Sequence, residues 1–472
     1  MNKKFLKTMG IALACITAGA CMGSCGGKNE DEDIGDRRIL KLEVLEGGID
    51  QIAYKELAQA YMAKNPDVYI KIVANPEINS DVSSRLQNSK NLADVFSVRS
   101  IEAIKRWTVK GWVEDINDVY AATLSTGKTV SETMTGKAET VCTYNGNRYA
   151  VPEYMAMEGF VYNKTLFDRY GWQIPETTTE LETLCKKILA DTNNRVAPIV
   201  YCHSADGYLY YATNNWDFQY SGISKLDSFY TYESAEVFSP ENSQGKLLAL
   251  QNLQKFYGSN SKYVMERSQS KDYIEAQTNL VLGEAAMMLN GSWFENEMKD
   301  VLADLPDEEF GMFAVPQMSD TSGTPLRYSG YTTEENKRVI ESGYGAYYFI
   351  PKDAANVEDA KDFLTWLSEP EANVIYTKYT NGYRPFEYET DPNAEVYADM
   401  SAFGKSVLTM ARTHYLYVPN VTNQLAIEGK VDYWGNGGYP FLTVIGGGNP
   451  SDVIKELYNY VKDTYNANAK KA

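Results

Sequence analysis

Residues 279–298 read NLVLGEAAMMLNGSWFENEM. The apolar run Ala285–Leu289 is short and bounded by turn-forming residues, which predicts a buried strand. Asn290-Gly291 predicts a turn, and Ser292 a helix start, with Trp293 the first residue past it. A strand that delivers an aromatic to a loop and a helix N-terminus is how open α/β sheets build ligand sites beside strand ends. The same ring would serve equally well as core, and the rest of the chain decides between the two.

At 472 residues the chain exceeds what one domain usually holds, which predicts two or more lobes. Its 36 Tyr, 7 Trp and 16 Phe supply flat apolar faces with polar edges, suited to sugars and peptides as well as to packing. A formal charge of -18 disfavours nucleic acid and anionic membrane as partners. Beyond Cys25 only Cys142, Cys185 and Cys202 remain, too few and too irregular for a disulfide framework. His203 and His414 are the only histidines, so neither a multi-histidine metal site nor a histidine relay is expected, and no cofactor is assigned.

The N-terminus carries a targeting pattern. Lys3, Lys4 and Lys7 precede a short apolar segment, Met9–Gly23, and then ACMGSCGG at 20–27. This predicts a signal peptide over residues 1–24, too short for a membrane span. Cys25, flanked by small residues and followed by charge, is the expected lipidation site; Cys21 is the alternative, and a plain signal peptide with incidental cysteines is the competing reading. Residues 25–38 then form a charged tether.

From Ile39 the pattern is strand, helix, strand, helix, strand: Ile39–Leu45, Tyr54–Lys64, Val68–Val73, Ser83–Lys90 and Ala93–Val98. Asn145-Gly146 predicts a hairpin within 143–152, and Met157–Asn163 a strand. Helices are expected at Lys164–Tyr170, Thr178–Asp191, Gln244–Tyr257 and Val357–Leu367. The aromatic stretch Leu209–Phe229 reads as a helical start followed by a loop lining a cleft. Pro370 marks a break, and Pro450–Asn466 a closing helix.

In order, the signal and tether, ADVF at 93–96, YNGNRYAVPEYMAMEGFVYNKTLFDRYG at 144–171, GEAAMMLNGSWFENEM at 283–298, GMFAVP at 311–316 and GYGAYYFIPKDAANVEDAKDFLTWLSEPE at 343–371 resemble the extracellular solute-binding proteins of bacterial ABC importers. The likeness is to the carbohydrate-binding group that includes the maltose-binding proteins, and it covers most of residues 40–460. It implies an α/β, two-lobed periplasmic-binding-protein-like fold with a ligand cleft between lobes. Hinge crossings would fall near Pro152–Met157, Phe310–Val315 and Ser368–Pro370. Lobe 1 would be 39–153 and 311–368, lobe 2 would be 154–310 and 369–466, and 467–472 a tail.

The resemblance further implies a monomer, lipid-anchored on the extracytoplasmic face of the cell membrane, that captures a carbohydrate by lobe closure and passes it to ABC permease subunits. By motif context the ligand contacts would be Trp293, Glu46, Gly47, Asp94, Glu153, Tyr154, Trp434, Trp216 and Arg384. Arg384, able to grip a carboxylate or hydroxyl in bidentate fashion, also admits a peptide or acidic sugar as cargo. A surface glycan-degrading enzyme would need two correctly separated carboxylates; Glu153 with Glu295 is a conceivable pair, and no catalytic residue is assigned.

Overall fold

The computed structural model describes residues 34–45, 51–202, 206–231, 234–330, 338–419, 421–428, 430–435 and 440–469. Ile39–Ala472 cluster as one unit, separate from Met1–Arg38, and the description concerns that unit. The strands are β1 (Arg38–Leu45), β2 (Val68–Asn75), β3 (Val95–Val98), β4 (Thr143–Tyr144), β5 (Asn147–Arg148), β6 (Val151–Asn163), β7 (Ala197–Val200), β8 (Ala285–Gly291), β9 (Phe310–Phe313), β10 (Val339–Phe349) and β11 (Tyr415–Tyr417). Six helices bear on the site: α1 (Gln51–Lys64), α2 (Ile101–Val109), α3 (Leu209–Ser221), α4 (Gln244–Tyr257), α5 (Phe294–Ala303) and α6 (Pro370–Thr380). None of the described helices is long and apolar enough to cross a membrane.

A single sheet runs in the order β2-β1-β3-β10-β6-β8-β7, with β9 added on β6 and β11 on β10. Two long strands hold it together. The first half of β6 pairs antiparallel with β10, from Val151↔Tyr348 to Met157↔Ser342, and its second half pairs with β8 and β9. Strand β10 in turn meets β3 at one end and β11 at the other. Register shifts between Tyr344 and Tyr347 bend β10 midway, as an extra residue in a ladder does.

Two cores flank these shared strands. The first buries Leu42, Tyr54, Phe96, Ile104, Phe349 and Phe363. The second lies on both faces of the sheet: Phe160 joins Trp216, Leu250, Leu289 and Trp434, whereas its neighbour Val161 joins Leu280, Met288, Phe294 and Phe403. Alternation along a strand sends successive side chains to opposite faces, which is why one strand feeds two layers.

Local signals explain many boundaries. Thr177 caps its helix in a reciprocal box with Glu180, and Asn163 caps the next helix start by accepting from the Leu166 amide. The strand expected at Ala285–Leu289 extends to Gly291, and Trp293 stands just ahead of α5. Where a loop was expected after a helical start, α3 runs to Ser221 and a second helix follows, Ile223–Tyr230, the two divided by Gly222 at φ 76°. Burial of the aromatic side chains there overrides weak helix propensity.

The packing divides the chain differently from the expected lobes. Met312, Ala314, Val315 and Val339 pack in the second core, because β9 pairs with the second half of β6. Ala372, Tyr376 and Phe386 pack in the first core. The break expected at Pro370 separates the helix Val357–Leu367 from α6, whose first turn the proline occupies, where its missing N–H costs nothing.

Candidate functional site: a cleft between the two cores

Where β6 and β10 pass from one core to the other, they floor a cavity of about 310 Å³. With lobe 1 now denoting the half around the first core and lobe 2 the half around the second, its lobe-1 side is built from Arg99, Tyr154, Tyr376, Thr380 and Gly382, and its lobe-2 side from Tyr208, Tyr211, Ser292, Trp293 and Glu297. A second cavity of about 290 Å³ shares Arg99 and Glu158 with it and continues along Glu341–Tyr344, Glu102 and Lys105.

Aromatic rings form two facing walls. On one, Trp293 meets Tyr208 and Tyr211 edge-on at 6.2 Å, and those two tyrosines stack at 5.1 Å. On the other, Tyr154 and Tyr376 stack at 6.2 Å and 23°. Glycine seats both walls: a Cβ on Gly291 would collide with the Trp293 indole, and one on Gly345 with the Tyr154 ring. The expected turn at Asn290-Gly291 is the end of β8 instead, and Gly291 there lets the indole fold back over bare backbone.

The acids of the cleft sit in poorly solvated positions. Glu297 accepts from Gln277 at 2.9 Å, and burial raises its pKa against the opposing pull of Arg99. Glu158, 7% exposed, is raised mainly by burial and further by the Glu341 carboxylate; Glu341, 9% exposed, is likewise raised by burial. The lobes are also bridged outside the cavity. Asn381 donates to Glu295 at 2.9 Å, Asn296 donates to the Thr380 carbonyl at 3.1 Å, and Lys137 pairs with Asp227 at 3.1 Å.

Of the nine residues expected to touch ligand, Trp293 and Tyr154 line the cavity. Glu46 and Gly47 lie outside the described residues, as do Cys25 and Cys21. The other five are packed elsewhere, each hydrogen-bonded within the protein. Asp94 accepts from the backbone N–H of Lys41 at 2.8 Å and of Asn356 at 2.9 Å, tying β1 to a helix start. Trp216 is fully buried, stacks on Phe256 and donates its indole N–H to the Pro316 carbonyl at 3.0 Å. Trp434 is buried edge-on to Phe441 and donates to Asn214 Oδ1 at 2.9 Å.

Glu153 and Arg384 lie behind the lobe-1 wall. Glu153 accepts from the hydroxyls of Tyr54 at 2.6 Å, Tyr376 at 3.3 Å and Ser97, so it orients the Tyr376 ring from below. Burial raises its pKa while the hydroxyls of Ser97 and Tyr54 counteract. Arg384, fully buried, donates to the carbonyls of Leu367 at 2.9 Å and Pro152 at 3.4 Å and lies 5.2 Å from the Tyr376 and Phe386 ring centres. The fork expected to bind a carboxylate is thus committed to backbone. Glu153 is met by hydroxyl donors and Glu295 by one hydroxyl and one amide, and neither lines the two cavities.

Tyr208, Tyr211, Tyr376, Arg99, Glu158, Glu297 and Glu341 were not singled out from sequence. For Glu341 a signal existed, since it is the one carboxylate of the mostly apolar strand β10, VIESGYGAYYF; Glu158 shares β6 with Glu153 and does not stand out.

A sequence model of the bacterial extracellular solute-binding protein family matches residues 48–374. The diacetylchitobiose binding protein NgcE of Streptomyces coelicolor is 21% identical over 337 residues, which span 70% of this chain and 66% of that protein. Among solved structures, an ABC substrate-binding protein of Listeria monocytogenes in complex with cycloalternan superposes with a TM-score of 0.61 at 18% identity, covering 91% of this chain and all of that one. The GacH receptor of Streptomyces glaucescens, solved unliganded and with acarbose, gives 0.63 at 16% identity over 90% and 98% of the two chains.

Proposed function

We propose that this chain, which belongs to the bacterial extracellular solute-binding proteins, captures a sugar or oligosaccharide by lobe closure and delivers it to the membrane permease of an ABC importer. The observation that carries the reading is the pair of aromatic walls, Trp293 with Tyr208 and Tyr211 on one lobe and Tyr154 with Tyr376 on the other, facing one cavity. A sugar offers weakly apolar C–H faces and polar edges. Flat rings match the faces, while Arg99, Glu158, Glu297 and Thr380 match hydroxyls. The relatives named for diacetylchitobiose and solved with cycloalternan point to the same cargo class.

Closure would exclude water and strengthen each polar contact. A ligand shifts the equilibrium only by its differential affinity for the closed state, so contacts from both lobes are the means of coupling. No bond chemistry is assigned. In this reading Cys25 carries a lipid that holds a monomeric protein on the extracytoplasmic face of the membrane, with residues 25–38 as spacer, and Glu46 and Gly47 remain candidate contacts. Arg384 and the high Tyr count were the motives for a peptide or acidic cargo; the backbone partners of Arg384 weigh against the first.

Titration calorimetry with a panel of mono- and oligosaccharides tests the proposal. Binding without turnover is expected, and Trp293→Ala should weaken it by ten- to a hundred-fold while the protein melts normally, as truncation of a central aromatic anchor does. A panel without binding, or an unaffected Trp293→Ala variant, would remove the saccharide reading or the role of that ring respectively.

A further inference from the structure

The floor of the cleft holds two acids on neighbouring strands. The pairing Met157↔Ser342 in antiparallel register sets Glu158 opposite Glu341. Both line the second cavity, and Glu158 lines the first as well. Asn214 donates to Glu341 Oε2 at 2.9 Å. The orientation of that amide is fixed by chemistry: the Trp434 indole can only donate, so Asn214 Oδ1 faces it and the amide N–H faces Glu341. Tyr210 reaches both oxygens of Glu158 only at 3.4 Å.

Among the described residues neither acid has an ion-pair partner. The cation nearest in effect, Lys246 of α4, acts on Glu341 from a distance and is itself paired with Asp217 at 3.4 Å. Across the two cavities the described lining carries four acids, Glu102, Glu158, Glu297 and Glu341, against two bases, Arg99 and Lys105. Two carboxyls side by side in a poorly solvated floor cannot both ionise without a cation between them; otherwise they share a proton.

We propose that the cleft takes an amino sugar with a free ammonium group, and that Glu158 and Glu341 together hold that ammonium. The inference rests on the saccharide reading above and narrows it. An ammonium has three donors, enough to serve both carboxylates and keep one for a neighbour. The tyrosine and tryptophan faces on either side add attraction for the cation that a neutral sugar lacks. The proton balance is simple: the pair with its one shared proton takes up the ammonium and releases that proton to water. Both acids are shifted upward, first by burial, which is the condition for the proton to be present near neutrality. Affinity therefore rises with pH until the ligand amine begins to lose its own charge. Tyr210 and Asn214 from α3, Arg99 just ahead of α2, Glu102 and Lys105 within it, Glu297, Lys246, and the phenols of Tyr154 and Tyr208 beside Glu158 and of Tyr230, Tyr417 and Tyr433 beside Glu341 also act on the pair and are the background of any titration.

The test uses a matched set: glucosamine, its β1,4-linked dimer and trimer, the N-acetylated forms, and glucose, cellobiose and cellotriose. These differ only in the group at C2. Calorimetry in two buffers of different ionisation enthalpy gives affinity and proton count together. The amine series should bind at least tenfold more tightly than its hydroxyl and acetyl counterparts, about 1.4 kcal/mol, with net proton release. Glu158→Gln and Glu341→Gln should each erase that preference while residual binding of the neutral trimer and cooperative melting persist. Equal or better binding of the acetylated or hydroxyl series overturns the inference and leaves the saccharide reading standing. Retention of the amine preference in both variants overturns it as well. Failure of all nine sugars overturns the two together.

Discussion

Gly345→Ala probes the lobe-1 wall with a single methyl group. A Cβ at that position would stand 2.1 Å from Cζ of Tyr154, whereas ordinary contact begins at 3.4 Å. The ring must retreat by about 1.3 Å, the difference between those distances. Tyr154 is half-buried with its open side toward the cavity, so the ring can yield into the cleft without disturbing the core. The stability cost is then mainly the lost stack on Tyr376, about 0.5–1.5 kcal/mol. A chain of this size unfolds with an entropy of roughly 1.0 kcal/mol per kelvin at about 2.1 cal/mol/K per residue. The melting temperature should accordingly fall by only about 0.5–1.5 °C.

The cavity, by contrast, is only about 310 Å³, and a displaced phenol occupies space that a ligand needs. Affinity for the best saccharide of the panel should drop about tenfold or more, the loss of one well-placed aromatic contact. Gly343→Ala controls for the backbone, because a Cβ there meets nothing within 4 Å; it should melt as the wild type does. Scanning fluorimetry and calorimetry on the three proteins give both readouts. A fall of 10 °C or more in Gly345→Ala would mean that Tyr154 is locked in the core. Unchanged affinity alongside a crystallographically displaced ring would mean that this wall does not touch ligand.

The acid pair makes stability depend on pH, and the sign follows from the direction of its shifts. A carboxyl whose folded pKa is raised binds more protons folded than unfolded, so stability falls as pH climbs from the unfolded value of 4.5 through the folded one. Other buried groups titrate too, with His414 opposing in the acid range, so the readout is the difference between wild type and Glu341→Gln. That difference in melting temperature should swing against the wild type between about pH 5 and 8; a constant difference would refute the raised pair. Lys246 and Asp217 form an ion pair with both side chains almost wholly buried, the ammonium lying among Phe229, Tyr433 and Trp434 and its pKa lowered to about 7 by burial. Lys246→Met should cost about 3–5 kcal/mol by stranding Asp217, and Lys246→Met with Asp217→Asn should recover part of it; a double variant worse than the sum would show that the pair does not act as a unit.

The α/β order, the hairpin and most helix boundaries were legible because caps, glycines and periodicity are local signals. Trp293 was legible for the same reason, as an aromatic handed from a strand through Asn290-Gly291. The role of Trp216, Trp434, Asp94, Glu153 and Arg384 was not. Their side-chain types suit a sugar, yet their partners, such as Pro316, Asn214, Lys41, Tyr54 and Leu367, lie far off in sequence, and nothing local reveals that their hydrogen-bonding groups are already engaged. The placing of strands between the two cores was illegible for a related reason. GMFAVP reads as a strand in either lobe, and only its pairing with Phe160–Asn163 assigns it. Tyr376 had no sequence signal, since a helical tyrosine is ordinarily packing.

The second core also governs when this chain can fold. It brings Phe160 together with Trp434, Phe441 and Val461, so its closing residues arrive only in the last tenth of the sequence. Contacts so distant along the chain close slowly, because the loop must be ordered before the contacts reward it. A growing chain therefore stays incomplete in this half until synthesis is nearly over.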